Sequence, residues 1–303
     1  MFFVLLRSLT FIFIILLAFC FKRKNILKRE DANILSTIIM NITLPCALFS
    51  SASSISISSL MILLLFIGVF ANVITMGIGY LSNLKENGKI QGLYVLNVSS
   101  YNIGNFALPF AQTFFVGQGL AYLCAFDIGN AIMGLGTTYA IADHLARGEG
   151  HFSIKELLKK LTSSLPFDVY FVIFVCTLLH ITIPESFLSM TSIIGSANTF
   201  LVMFMIGLMM EIEIPKNDRT HIIRIITMRI VSAIVMSLAI YYLLPIPSLA
   251  KQVLTLALFA PIANASTVFT QKMGYGETIS ATASSLNIII SIIIMTGLLM
   301  IYA

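Results

Sequence analysis

Charged positions along the chain are sparse and unevenly spaced. None stands between Asp31 and Lys85, which leaves 53 uncharged residues in a row. As a single helix at ~1.5 Å per residue that run would be about 80 Å long, far more than a hydrocarbon core of ~30 Å. It must fold back, and the Ser-rich stretch Ser50–Ser59 is the natural turn. A second uncharged run, Ile90–Phe126, is interrupted at Gly117-Gln118-Gly119. The runs Ser186–Met210, Ile230–Ala250, Gln252–Gln271 and Thr278–Ala303 each approach one span of ~20 residues. Apolar residues follow one another continuously and do not alternate, which argues for helices and against a membrane β-barrel. The pattern predicts an all-α polytopic membrane protein with ten transmembrane helices, over 2–21, 33–51, 59–81, 89–116, 119–142, 163–183, 187–210, 221–243, 250–272 and 278–302.

Composition agrees. Of 303 residues, 58% are hydrophobic and 10% charged, against roughly 25% charged in an average soluble domain. A soluble globular domain and a disordered chain are both excluded. Lys and Arg set the expected orientation. The loops after odd-numbered spans hold 15 of the 18 basic residues, including Lys22, Arg23, Lys24, Lys28 and Arg29, while the even-numbered loops hold only Lys251. The positive-inside rule then puts the odd loops in the cytoplasm of a cell (plasma) membrane protein and both termini outside. The net charge of +5 reads as topology and attraction to anionic lipid. No loop joins a basic cluster to interleaved aromatics, so nucleic acid is not an expected partner. In the first span the basic cluster follows the apolar run, an order that suits an uncleaved span over a signal peptide.

Chemistry-bearing motifs are few. Cys20, Cys46, Cys124 and Cys176 lie in apolar spans and form no C-x-x-C. His144, His151, His180 and His221 join no metal-ligand set, and there is no Walker lysine and no G-x-S-x-G. An enzyme, a metal centre and a cofactor are not expected; the ions in question are H+ or Na+ as coupling partners.

The segment 143–162 carries the charged, amphipathic Lys155-Glu156-Leu157-Leu158-Lys159-Lys160 and reads as a cytoplasmic linker on the membrane surface. It divides the chain into a first five-helix repeat, 1–142, and a second, 163–303. Five is odd, so homologous halves would be inverted. Gly117-x-Gly119 is followed 11 residues on by Asn130, and Gly274-x-Gly276 is followed 11 residues on by Asn287. Inverted repeats with interrupted spans are the usual build of secondary transporters.

The interruptions are visible. Pro45, Pro109 and Pro261 fall inside spans, where proline removes a donor and clashes one turn back. Asn102-Ile103-Gly104-Asn105-Phe106-Ala107-Leu108-Pro109 in the fourth span and Pro261-Ile262-Ala263-Asn264 in the ninth predict broken helices 4 and 9. Crossing at the midplane, their half-helix N-termini would favour an anion; the alternative is a packed proline kink. Candidate substrate-binding residues are Asn102, Gly104, Asn105, Pro109, Pro261, Asn264 and Asn41. Asn41 sits one turn before Pro45 and, like Asn198 in the seventh span, equally fits interhelical hydrogen bonding.

Asp127 lies eight residues past Gly119, ~12 Å into the span. A carboxylate at that depth is costly and marks a partner or a function. Three roles fit it: carrying a proton, holding a cation, or hydrogen-bonding the unwound fourth span. Asn130, on the same helical face, and Asn287 complete the candidate ion-coupling set. Arg229, five residues past Arg224, is expected to snorkel to the cytoplasmic interface.

The segment Asn41-Ile42-Thr43-Leu44-Pro45-Cys46-Ala47-Leu48-Phe49-Ser50-Ser51 resembles the second span of the auxin efflux carrier family of bacterial permeases, the malate/malonate permease type. Residues 102–109, Phe115-Val116-Gly117 and Ala125-Phe126-Asp127-Ile128-Gly129-Asn130 are similar to that family's fourth and fifth spans. In the family's N-x-G-x-x-G-L-P, Ala107 replaces the second glycine. The resemblance implies the fold shared with plant PIN auxin exporters, a scaffold bundle and a transport bundle with helices 4 and 9 crossing. It implies organic anions as substrates, such as malate, malonate or indole acetate, with Asn102 and Pro109 flanking the site and Pro261 also assigned to it. The expectation is a secondary active transporter of a small mono- or dicarboxylate by alternating access. The alternative is a monovalent cation/proton antiporter using Asp127. A membrane sensor would lack a sizeable soluble output domain. Membrane lipids surround the protein, and the oligomeric state stays open between monomer and homodimer.

Overall fold

The computed structural model describes residues 2–50, 59–112, 114–115, 117–148, 165–179, 181–210 and 218–302. In chain order the helices are α1 (Phe2–Arg23), α2 (Asp31–Ser50), α3 (Ser59–Leu81), α4 (Gly88–Val98), α5 (Leu108–Ala111), α6 (Gln118–Arg147), α7 (Leu165–Leu178), α8 (Glu185–Met209), α9 (Arg219–Leu243), α10 (Ser248–Leu258), α11 (Asn264–Lys272) and α12 (Glu277–Tyr302). Seven of them, α1, α2, α3, α6, α8, α9 and α12, are long and apolar enough to cross a membrane. Among the described residues the only strand-like pairing is one antiparallel bridge between Tyr101 and Ile262. The chain is a helical, multi-pass membrane protein.

Large apolar side chains cover the outside. Phe13 on α1, Phe66 and Phe70 on α3, and Val235 on α9 are all exposed, as lipid contact requires. Inside, small residues bring backbones together. A Cβ on Gly68 of α3 would stand 2.2 Å from Phe126 O, and one on Gly129 of α6 would stand 2.1 Å from Leu65 O. These reciprocal glycines let α3 and α6 touch along their backbones. Gly207 does the same for α8 against α1, with Ile15 O at 2.2 Å. Two groups of helices result. One contains α1, α2, α7 and α8; the other contains α3, α4, α6 and α9–α12.

The helical ladder widens to a π turn at Ile39–Thr43, at Ile103–Ala107 and at Met133–Thr137. The first two run into Pro45 and Pro109. Proline has no N–H for the carbonyl four residues back and its ring crowds that carbonyl. The preceding residue bonds one step further instead, Leu44 N–H to Ile39 O and Leu108 N–H to Ile103 O. The third holds Gly134 and Gly136 and has no proline. π turns of this kind gather at functional sites.

Several expected boundaries shift. The fifth span was expected to end at 142. Helix α6 runs on to Arg147, with Asp143 bonded to Arg147 one turn later and Gly148 at φ +74° as a left-handed cap. The expected linker beyond residue 148 and most of the Ser50–Ser59 turn lie outside the described residues. The regions 89–116 and 250–272 are not single long helices. The first is α4, a non-helical step through 99–102, the π turn and α5; the second is α10, a non-helical step through 259–263, and α11.

Candidate functional site

The two non-helical steps meet. Asn102 N–H donates to Pro261 O at 2.9 Å, beside the Tyr101–Ile262 bridge. Two backbones that leave their helices inside lipid must satisfy every polar group locally. The side chains that do so come from neighbouring helices. The amide hydrogens of Tyr101 and Ile262 point away from the bridge. Asn130 Oδ1 accepts the first at 2.9 Å, and Asn287 Oδ1 accepts the second at 3.0 Å. Asn130 also donates to Tyr101 O and to Asp127 Oδ1, each at 2.9 Å. Asn72, on α3, accepts Ser100 N–H at 2.8 Å and reaches Asn130 Oδ1 at 3.2 Å. Ser100 sits at φ +60°, a strained conformation for a serine that persists because its neighbours over-determine it.

Below the bridge lies a cavity of about 190 Å³. Its walls are Met40 and Leu44 of α2, the backbone from Ser100 to Asn105, the Asp127–Leu135 face of α6, and Ala263–Ala265. All three π turns therefore border it. Both half-helices that begin at the bridge, Ile103 onward and Asn264 onward, open their N-termini onto this space. Asn102 Nδ2 donates to Asn264 Oδ1 at 3.0 Å, linking the two starts. Asn105 Oδ1 is buried without a partner. Asp127 is the only acidic side chain among the described residues of the lining. Gly104 faces it, and a Cβ there would stand 3.7 Å from Asp127 Oδ2, an ordinary contact. Two helix N-termini and the amide side chains bring partial positive charge to a cavity whose wall is otherwise mostly apolar. A second cavity of about 340 Å³ also touches Asn264; it is walled by α11, α12, the end of α8 and the start of α2, with Arg29, Glu30 and Glu277 in its lining.

The residues singled out from the sequence separate into groups. Asn102, Gly104, Asn105, Asp127, Asn130 and Asn264 line the smaller cavity. Pro109 and Pro261 do not. Pro109 is buried one turn beyond it, its carbonyl 3.4 Å from Thr199 Oγ1, and Pro261 contributes the backbone oxygen that closes the bridge. Asn287 stands behind the bridge, not in the chamber. Asn41 is outside the site. Its side chain is exposed and donates to Thr37 O at 2.8 Å, because the π turn directs Met40 and Leu44 to the cavity. Thr43 Oγ1 instead reaches Asn198 Oδ1 at 2.9 Å, so the seventh-span amide does bond between helices.

Arg229 does not snorkel. It is 5% exposed, and its guanidinium bonds backbone carbonyls at the bridge. Charge spacing along α9 suggested an interfacial position; the carbonyls freed at the breaks hold it inside. Asn72 was missed altogether. The available signal was that Asn72 is the only amide side chain in the third span, 59–81.

Residues 3–151 match the family model described as membrane transport protein. No curated protein matches the chain. The matched stretch holds the Asn102–Pro109 break, the Asp127–Asn130 pair and the π turns of α2 and α6, and through it the chain belongs to the membrane transport proteins of the auxin efflux carrier family, a family of permeases.

Proposed function

We propose that the protein is a secondary carrier of a small organic anion, a mono- or dicarboxylate, which binds in the chamber below the bridge and moves by alternating access. The carrying observation is that two half-helix N-termini face one cavity lined by Asn102, Asn105 and Asn264, with no basic side chain among the described residues of its wall. Helix starts and amide donors hold a carboxylate without lysine or arginine. The volume is below the ~300 Å³ typical of sites for drug-sized ligands, which suits a compact acid.

The reading includes ten spans arranged as two inverted five-span halves, with spans 4 and 9 as the crossing pair. It is supported by the matching work of Asn130 and Asn287, each capping the outward N–H of one bridge residue. It also takes α1, α2, α7 and α8 as the scaffold and the other group as the moving body. The second cavity, flanked by Arg29 and Glu277 of the basic-loop side, serves as the cytoplasmic vestibule, with the Asn102–Asn264 contact between the two chambers. Both termini face outward from the cell membrane.

Uptake of labelled carboxylates into proteoliposomes tests this. Asn102→Ala and Asn264→Ala are expected to raise KM at least tenfold, while Asn41→Ala leaves it unchanged. Wild-type uptake that neither cavity variant alters would overturn the reading. The second reading, a cation/proton antiporter, rests on Asp127 facing the chamber. Sodium flux driven by a pH gradient, lost in Asp127→Asn, without any carboxylate uptake would favour it.

A further inference from the structure

The back of the crossing is as charged as its front is open. Helices α4 and α10 both end there, so two half-helix C-termini converge and present partial negative charge. Arg229 lies between them. Its Nη1 has four successive carbonyl oxygens around it, those of Asn97 at 3.4 Å, Val98 at 2.9 Å, Ser99 at 3.0 Å and Ser100 at 3.1 Å. Its Nη2 takes Ala260 O at 3.0 Å, and the guanidinium lies 5.1 Å from the Tyr101 ring centroid. No ion pair to it occurs among the described residues.

The geometry is unlike an arginine–carboxylate pair. A terminal guanidinium nitrogen carries two hydrogens, yet four oxygens surround this one. They cannot all receive linear hydrogen bonds. What they share is direction, each carbonyl dipole aimed at the charge, which is how a backbone cradle holds a bare cation. In carriers coupled to sodium, unwound carbonyls and half-helix C-termini are the groups that hold the ion.

We propose that Arg229 is a fixed cation in the seat that such a crossing otherwise offers to a coupling Na+, so that the carrier works without sodium. The side chain neutralises both C-termini permanently. The front chamber then faces the two N-termini and Asp127 without opposing charge from the C-termini behind. Arg229 is a positioning residue: it touches the crossing backbone and does not line the anion chamber. The consequence for transport rests on the anion-carrier reading; the cradle itself does not.

Two arms separate them. In the first, purified full-length wild type and Arg229→Ala are melted in detergent in choline chloride, in NaCl, and in choline chloride with millimolar guanidinium chloride. The emptied cradle is expected to recover several degrees of melting temperature with guanidinium or Na+, saturably, with wild type unmoved. If neither cation stabilises Arg229→Ala more than wild type, the proposal fails. Should that variant not fold, Arg229→Lys and Arg229→Gln are compared. Lys keeps the charge and is expected to melt closer to wild type; a Gln variant as stable as Lys overturns the proposal. In the second arm, wild-type carboxylate uptake is measured in sodium and in choline buffer. Equal rates support the proposal, and a requirement for sodium refutes it while leaving the anion reading intact. No carboxylate uptake at all refutes the anion reading, and the melting arm still decides the role of Arg229.

Discussion

Replacing Asn130 by Ala removes the side chain that ties the unwound fourth span to α6. Four hydrogen bonds go with it: from Tyr101 N–H, from Asn72 Nδ2, and to Tyr101 O and Asp127 Oδ1. Tyr101 O keeps a second partner in Ile103 N–H at 3.0 Å. The Tyr101 N–H has no other partner among the described residues and is orphaned in the protein interior. Two estimates bracket the cost. Interhelical hydrogen bonds in membrane proteins average about 0.6 kcal/mol, which over the three bonds that leave α6 comes to roughly 1.8 kcal/mol. An orphaned buried donor alone costs about 1–3 kcal/mol. A loss of roughly 1–3 kcal/mol follows. Asn287→Ala removes one bond, to Ile262 N–H, and is expected to cost about 1 kcal/mol. Reversible unfolding of the purified protein in mixed micelles, titrated with denaturing detergent, measures both. An Asn130→Ala variant within about 0.5 kcal/mol of wild type, or an Asn287→Ala variant that is the weaker of the two, would refute the argument that these amides carry the broken backbone.

The glycine contacts predict a contrast along a single helix. Gly68→Ala drives a methyl into Phe126 O, whereas Gly77→Ala meets nothing within 4 Å; the first is expected to cost about 1–3 kcal/mol of overpacking and the second to leave melting unchanged. Gly129→Ala should match Gly68→Ala, because it breaks the same α3–α6 approach from the other side. Orientation is open to labelling: a single cysteine at Lys24 is expected to react with a membrane-impermeant thiol reagent only after cells are opened, and one at Lys251 in intact cells. The reverse pattern would invert the assigned topology.

Much of the fold was readable from the spacing of charge. The multi-pass, helical character and the places where regular helix gives way near residues 102 and 261 follow from uncharged runs, prolines and amides, since lipid penalises any unpaired polar group and leaves so few ways to place one. The chamber was half readable. Asn102, Asn105, Asp127, Asn130 and Asn264 stand out because polar side chains are rare in these spans, and they do meet. Asn41 satisfies the same criterion and faces away, because a π turn, which no simple period of 3.6 anticipates, decides which side of α2 looks inward. The correspondence of Asn130 with Asn287 showed in sequence only as equal spacing from a Gly-x-Gly; in three dimensions the two side chains perform the same hydrogen-bonding task on facing residues.

What the sequence determined alone was the solvent the protein folds in, the helical class, and the places where the helices would struggle. These depend on local hydropathy and on backbone donors, which each stretch carries with it. Only the tertiary structure decided where Arg229 goes. Its charge and its place in α9 are equally compatible with the membrane surface. The inward choice exists because two distant breaks, near residues 99 and 260, bring their freed carbonyls to one point, and that convergence is written in no single segment of the chain.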